Sequence, residues 1–176
     1  AGNAVRIGSA GDVVNTGTIA GRALVSITAE NVNNLGGRIA GANVAIDARN
    51  DLNNIGGSIT ARDSAVLTAG RDINIRTTTQ NSTGLLTGSN IDRVAGVYVT
   101  DPGGVLLASA ERDLNLTGAI LANVGQGSRT LANAGRDVNL GTVTLSTSAH
   151  VSGGSGDTTA SGIAAHSREV GSQIIG

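Results

Sequence analysis

Along most of this chain, apolar and polar residues alternate in short runs. The pairs Val25 and Ile27, Val44 and Ile46, Ile73 and Ile75, Leu114 and Leu116, and Val138 and Leu140 are each separated by one residue. A period of two is the spacing of an extended strand with one face turned inward. The runs are rich in β-branched residues, and Gly, Asn and Asp, which accept turns, separate them. Helical spacing persists nowhere. The pattern predicts an all-β chain of short strands.

The runs also recur. Asn53-Asn54-Ile55-Gly56-Gly57-Ser58-Ile59 repeats Asn33-Asn34-Leu35-Gly36-Gly37-Arg38-Ile39, with a shortened copy at Asn15-Thr16-Gly17-Thr18-Ile19. Ile19, Ile39 and Ile59 therefore lie twenty residues apart. A second anchor is Asp or Asn, then an aliphatic residue, then Asn. It begins at Asn31, Asp51, Asp72, Asp113 and Asp137, in steps of 20, 21, 41 and 24, and the longest step reads as a double. A period near twenty marks a unit that buries its apolar face only by stacking on copies of itself. The expected fold is a parallel β-helix with coils of about 20 residues, each advancing about 4.8 Å. A β-sandwich would not keep such a register. Outward Asn33, Asn53, Asn74, Asn115 and Asn139 would then stack, either as a side-chain amide ladder or as residues that only satisfy turns.

Two polar stretches break the beat, Thr77–Arg93 and Ser146–Val170. After the second, Gly171-Ser172-Gln173-Ile174 echoes Gly56-Gly57-Ser58-Ile59. The organisation expected is coils over 1–145 with an excursion at 77–93, a loop or hairpin over 146–170, and a further coil starting at 171–176. Excursions from a repetitive rod map to its surface, and loops this long are commonly functional or disordered.

Composition narrows the picture. Gly numbers 27, Pro occurs once, Tyr98 is the only aromatic, and Cys, Met, Trp, Phe and Lys are absent. The core must be thin, layered from Val, Ile, Leu and Ala. A net charge of −1 without blocks of like charge argues against a nucleic-acid or membrane footprint. The single aromatic also leaves no stacking platform for single strands. No apolar run approaches the roughly 18–20 residues of a membrane span. The pattern runs up to both ends, as expected for an interior piece of something longer.

Several residues offer candidate chemistry, each with a competing structural role. Asp51, Asp72, Asp113 and Asp137 would form one column, a superficial match to the carboxylate clusters of β-helical polysaccharide lyases and hydrolases. Repetition at every coil is instead what turn capping predicts, each Asp bonding a nearby backbone N–H. His150 and His166, with Asp157 between them, lack the convergent neighbours of a metal or acid–base site. Gly153-Gly154-Ser155-Gly156-Asp157 falls one residue short of a calcium-binding repeat and occurs once. Gly125-Gln126-Gly127 lacks the third glycine of a nucleotide loop, and without Lys there is no Walker lysine. The expectation is no catalytic, cofactor-binding or metal-ligating residue, no cofactor, and no enzyme.

Ala69-Gly70-Arg71-Asp72-Ile73-Asn74-Ile75 and Ala134-Gly135-Arg136-Asp137-Val138-Asn139-Leu140 resemble the haemagglutinin repeat. That repeat belongs to filamentous haemagglutinins and CdiA-type contact-dependent growth inhibition proteins, which are exported by two-partner secretion. Ile91–Val99 followed by Asp101-Pro102-Gly103-Gly104 is similar to the later repeat region of these exoproteins, as is His166–Ser172. The resemblance implies a right-handed parallel β-helix, secreted and displayed at the bacterial cell surface. It implies two partners, an outer-membrane transporter during export and the surface or outer membrane of a target cell, and no nucleic acid. Family members act as adhesins or deliver a distal toxin. The Asn-Pro-Asn-Gly and Asn-Pro-Asn-Leu sequences of the secretion domain and the Val-Glu-Asn-Asn motif before the toxin do not occur here. The alternatives are a passive structural stalk and a carbohydrate-active β-helix enzyme.

Overall fold

The computed structural model describes residues 2–84, 86–155 and 158–176, the stretch 150–161 by its backbone alone. Its described residues form a parallel β-solenoid with no helix. The chain winds around three faces, one strand per face per coil. The first coil is β1 (Ala4–Gly8), β2 (Val13–Asn15) and β3 (Thr18–Ala20). The second is β4 (Leu24–Ala29), β5 (Val32–Leu35) and the start of β6 (Arg38–Ala48). The rest of β6, β7 (Leu52–Ile55) and the start of β8 (Ser58–Ala69) make the third. β6 and β8 each turn a corner without a break, which joins the first and third faces into one sheet.

The fourth coil runs from β8 through β9 (Ile73–Arg76), leaves the rod in β10 (Thr78–Ser82) and β11 (Leu86–Arg93), and returns in β12 (Gly96–Val99). The fifth is β13 (Val105–Ala110), β14 (Asp113–Thr117) and β15 (Ile120–Asn123). The sixth begins with β16 (Arg129–Ala134) and β17 (Asp137–Ser155). It leaves along β17, comes back in β18 (Thr158–Gly171) and ends in β19 (Gln173–Ile175).

Every coil pairs with the next in parallel, and like residues land on like. On the second face Val13, Val32, Leu52, Ile73, Leu114 and Val138 stand in one column. On the third, Ile19, Ile39, Ile59, Val97, Leu121 and Ile174 do the same. Ile39, Ile59, Val97 and Leu121 are completely buried, and burial stabilises each by about 1.5–3 kcal/mol. Val138 and Leu140 hold the inward register but sit on the last described coil, 45% and 54% exposed. β19 pairs with β15, so the echo at Gly171–Ile174 is a return to the third face.

The 41-residue step is corrected. Leu114 pairs directly with Ile73, so the step is one coil carrying an inserted hairpin, not two coils. Inside the hairpin β10 and β11 carry no apolar alternation, and they pair antiparallel with each other instead of stacking on a coil. The second excursion also starts earlier than expected, because Thr142 already pairs with Gly171 across the hairpin.

Ile59 is fully buried, whereas Ser58 on the alternate side is partly exposed. Ile59→Asp is expected to cost several kcal/mol by placing a charge in the thin core. Ser58→Asp should stay within about 1 kcal/mol of the parent. Urea midpoints of the two variants decide this, and equal midpoints would show the inward register to be wrong.

Candidate functional site

The two excursions leave the rod at the same corner, between the second and third faces. In other coils that corner is tight. Gly36 and Gly56 take positive φ there, at 65° and 59°, which favours glycine. Gly37 and Gly57 follow, where a Cβ would collide with the amides of Asn15 and Asn34, and of Asn34 and Asn54. Those amides form an inner ladder that alternation alone did not reveal. Asn15 Nδ2 donates to Asn34 Oδ1, and Asn34 Nδ2 to Asn54 Oδ1, both at 2.7 Å and buried. Asn34 and Asn54 also donate to the turn carbonyls of Gly37 and Gly57, at 3.0 and 2.9 Å. The same carbonyls accept backbone N–H groups from the next coil, Ser58 N to Gly37 O at 2.9 Å and Gly96 N to Gly57 O at 3.1 Å, so each Asn adds a second donor at the sharp corner. The repeated Asn-Asn was the available signal, since only one of the two can face outward.

Above Asn54 the inner column changes to Ile75, Leu116 and Leu140. Hydroxyls at the hairpin roots take over. Buried Thr77 donates from Oγ1 to Gly118 O at 2.6 Å and accepts from Ala95 N at 3.0 Å. Ser172 donates to Gly141 O at 2.7 Å and accepts from Ala119 N at 3.2 Å. Each clasp ties the root of a hairpin to the coil between them. Arg93 then reaches down the corner and donates to Gly36 O at 2.6 Å.

Rooted two coils apart, the hairpins stand about 9.6 Å apart, two strand spacings, so their strands can join. They do. β10 and β11 pair antiparallel, β17 and β18 pair antiparallel, and β11 pairs with β17 through Leu86–Ala149, Thr87–Ser148 and Gly88–Thr147. The result is one four-stranded antiparallel sheet in the order β10-β11-β17-β18, continuous with the second face. Thr87 and Ser148 hydroxyls lie 2.6 Å apart, and Ser146 N donates to Ser89 Oγ at 2.9 Å. A shallow hollow of about 310 Å³ spans this seam, lined by Asn81, Thr87, Ser89, Ser146 and Ser148 among others, without a charged side chain.

The outer Asn residues do form an amide ladder. Asn53, Asn74, Asn115 and Asn139 each donate Nδ2 to the Oδ1 of the Asn below, at 2.8–2.9 Å. A groove of about 280 Å³ borders it, lined by Asn53, Asn74, Asn115, Arg76 and Thr117.

The Asp column is also structural, but turn capping within one coil was the wrong mechanism. Asp51, Asp72 and Asp113 each reach to the next coil, while Asp137, among the described residues, meets only the adjacent Arg136. Arg71 donates from Nε to Asp51 at 2.7 Å, Arg112 to Asp72 at 2.7 Å and Arg136 to Asp113 at 2.8 Å, with a second bond from Nη2 in every case. The backbone N–H of Asp72 donates to Asp51, and that of Asp113 to Asp72, both at 3.3 Å. The recurring Arg-Asp therefore links coils, Arg downward and Asp upward. The Arg71 guanidinium holds the Asp51 carboxyl below its ordinary range, and Arg112 does the same for Asp72.

Among the described residues no three His, Cys, Asp or Glu side chains gather as a metal site would need. Backbone pairing sets His166 opposite Thr147 and His150 opposite Ile163, so the two histidines are not cross-strand partners. The His150 side chain, Gly156 and Asp157 lie outside the described residues. Gly125-Gln126-Gly127 is a corner turn, where Gly103 N donates to Gln126 O at 2.9 Å and Gly127 takes a φ of 71°. Compared with known protein families, curated proteins and solved structures, the chain matches none.

Two outcomes follow from these ladders. Asn54→Ala should lower stability by about 1–3 kcal/mol, read from urea unfolding, because Asn34 Nδ2 loses its buried acceptor and the Gly57 carbonyl keeps only the backbone N–H of Gly96. The second concerns acid. Unfolded Asp titrates near 3.9, above the folded Asp51 and Asp72, so their ion pairs contribute fully above that pH. The contribution fades as pH falls through the lower folded values. Melting temperatures should therefore drop below about pH 4, and less steeply in an Asp51→Asn, Asp72→Asn double variant. Parallel acid limbs would show that these pairs do not govern the response.

Proposed function

We propose that this chain is a β-solenoid segment of a large secreted bacterial surface protein, an adhesin or a contact-dependent growth inhibition exoprotein. In this reading the rod spaces a distal module from the cell and the composite sheet meets a target-cell surface or outer membrane. The outer-membrane transporter of two-partner secretion is its partner during export. The observation that carries the reading is the convergence of two separate insertions into one sheet. Drifting insertions have no reason to share a corner, keep matching root clasps and pair strand to strand. Ordering such polar segments costs about 1–2 kcal/mol per residue in backbone entropy, with few buried apolar groups to offset it. A partner surface gives that cost a purpose.

Export as an extended chain suits the architecture. Every coil needs only the coil before it as a template, and no cysteine exists to be trapped in a disulfide. No catalysis is assigned. Asp51, Asp72 and Asp113 are each engaged by an Arg of the next coil, and Asp51 and Asp72 by a backbone N–H as well, which is a cohesive role.

The deciding experiment replaces the hairpins, Thr78–Arg93 and Thr142–Gly171, with short Gly-Ser turns in the full-length parent. Export and folding are expected to survive while adhesion or target-cell inhibition is lost. Unchanged activity with both hairpins removed would make this segment a passive stalk. Hydrolysis or lysis of a polysaccharide that disappears in Asp72→Ala would establish the enzyme reading instead.

A further inference from the structure

The composite sheet has two outer edges, and they differ. The β10 edge is five residues long and its pairing slips between Thr78 and Thr79. Short length and a bulge are common protections against edge-to-edge pairing. The β18 edge has neither. It spans fourteen residues, pairs with β17 in unbroken register from Gly171 back to Thr158, and among the described residues pairs with nothing else.

The rest of that edge is equally unguarded. Gly162 to Glu169 are all exposed, with Ile163 at 75%. The strand contains no Pro and no Lys, and its two charges, Arg168 and Glu169, cancel. Pairing of β11 with β17 is described from Gly88–Thr147 to Leu86–Ala149, while the β17–β18 ribbon runs on to Ser155–Thr158. A two-stranded ribbon is marginal in water, and three or more strands are needed for independent stability.

We propose that the outer edge of β18 pairs antiparallel with the same edge of a second copy of this chain, about a two-fold axis. The two four-stranded sheets would then become one of eight strands. Several observations favour a second copy as the occupant. The sheet already grows by edge addition inside one chain, where β11 of one hairpin meets β17 of the other. A two-fold contact is self-complementary, so one unguarded edge supplies both partners. The edge carries no net charge, and the chain as a whole only −1, so like copies scarcely repel.

Geometry selects the antiparallel arrangement. The hairpin is about 45 Å long at roughly 3.3 Å per residue. Antiparallel pairing sets the two rods at opposite ends of that length, whereas parallel pairing would bring both rods to one end. The proposal rests on the composite sheet itself and is independent of how the chain is exported.

The test is sedimentation velocity over a range of concentrations on the 176-residue chain. The wild type is expected to dimerise reversibly. Ile163→Lys with Ala165→Lys, both on exposed positions, should weaken dimerisation roughly tenfold or more, as lysines do on protected edges. Thr79→Lys with Asn81→Lys on the β10 edge should leave it unchanged. Circular dichroism and melting temperature confirm that each variant folds. Because the chain has no cysteine, single Cys substitutions along 162–169 provide a second readout. Oxidation should cross-link at least one of these positions between copies, and Thr79→Cys should not cross-link.

A wild type that stays monomeric at its highest soluble concentration overturns the proposal and leaves the edge to a strand of another protein. A dimer that survives the Ile163 and Ala165 lysines and shows no cross-link in β18 overturns it as well. That result would place association on the exposed Val138 and Leu140 of the last described coil.

Discussion

Stacking in register, coil upon coil, is the constraint on which everything else in this molecule depends. A single coil has no core of its own, since its two or three inward aliphatics per face meet one another only across a thin interior. What buries them is the coil above and the coil below. Parallel backbone hydrogen bonds set the spacing, and at that spacing identical side chains are the best neighbours. Isoleucine columns fill without voids, Asn columns bond amide to amide, and Asp columns take an Arg from the next turn. Each column therefore reports the same register independently. A slip of one residue would break all three at once, because it would send the aliphatics outward and the amides inward.

The corners are where this regularity becomes specific. A strand can bend sharply onto the next face only if its turn carbonyls find donors and no Cβ blocks the approach. Backbone N–H groups of the next coil and the amides of Asn34 and Asn54 supply the donors, and the paired glycines clear the space. Where the aliphatics Ile75 and Leu140 replace the inner Asn, the tight turn is gone and a hairpin leaves the rod. Thr77 and Ser172 then close the roots with hydroxyls instead of amides. Leu116 marks the one upper coil that keeps a tight turn, and its Gly118 carbonyl is held from outside by Thr77.

The composite sheet inherits its geometry from the rod. Because both hairpins are anchored to one corner and to the coil between them, their separation is a whole number of strand spacings. Edge pairing follows without further design. The rod supplies stiffness, and the sheet supplies a broad surface whose seam is lined by hydroxyl and amide groups. The hollow along that seam carries no charged side chain, and the charges of the sheet, Asp92, Arg93, Arg168 and Glu169, balance.

The sequence by itself determined the solenoid. The twenty-residue recurrence of Ile19, Ile39 and Ile59, the alternation of Val25 with Ile27, and the repeated Asn-Asn-x-Gly-Gly all state local geometry, and local geometry repeated is the whole fold of a rod. The stacking of Asn33, Asn53 and Asn74 was legible for the same reason, and the amide-to-amide bonds then chose the ladder over turn-satisfying roles. Three features were decided only in three dimensions. The Arg71–Asp51 type of pair joins residues twenty apart whose nearness depends on which coil lies above which, and turn capping explained the same recurrence equally well. The 41-residue step could be two coils or one with an insertion until Leu114 was found against Ile73. The seam between the hairpins joins Thr87 to Ser148, 61 residues apart, outside any repeat. Periodicity encodes contacts between equivalent positions and is silent about contacts between unique ones, so the rod could be read along the chain and the sheet that stands on it could not.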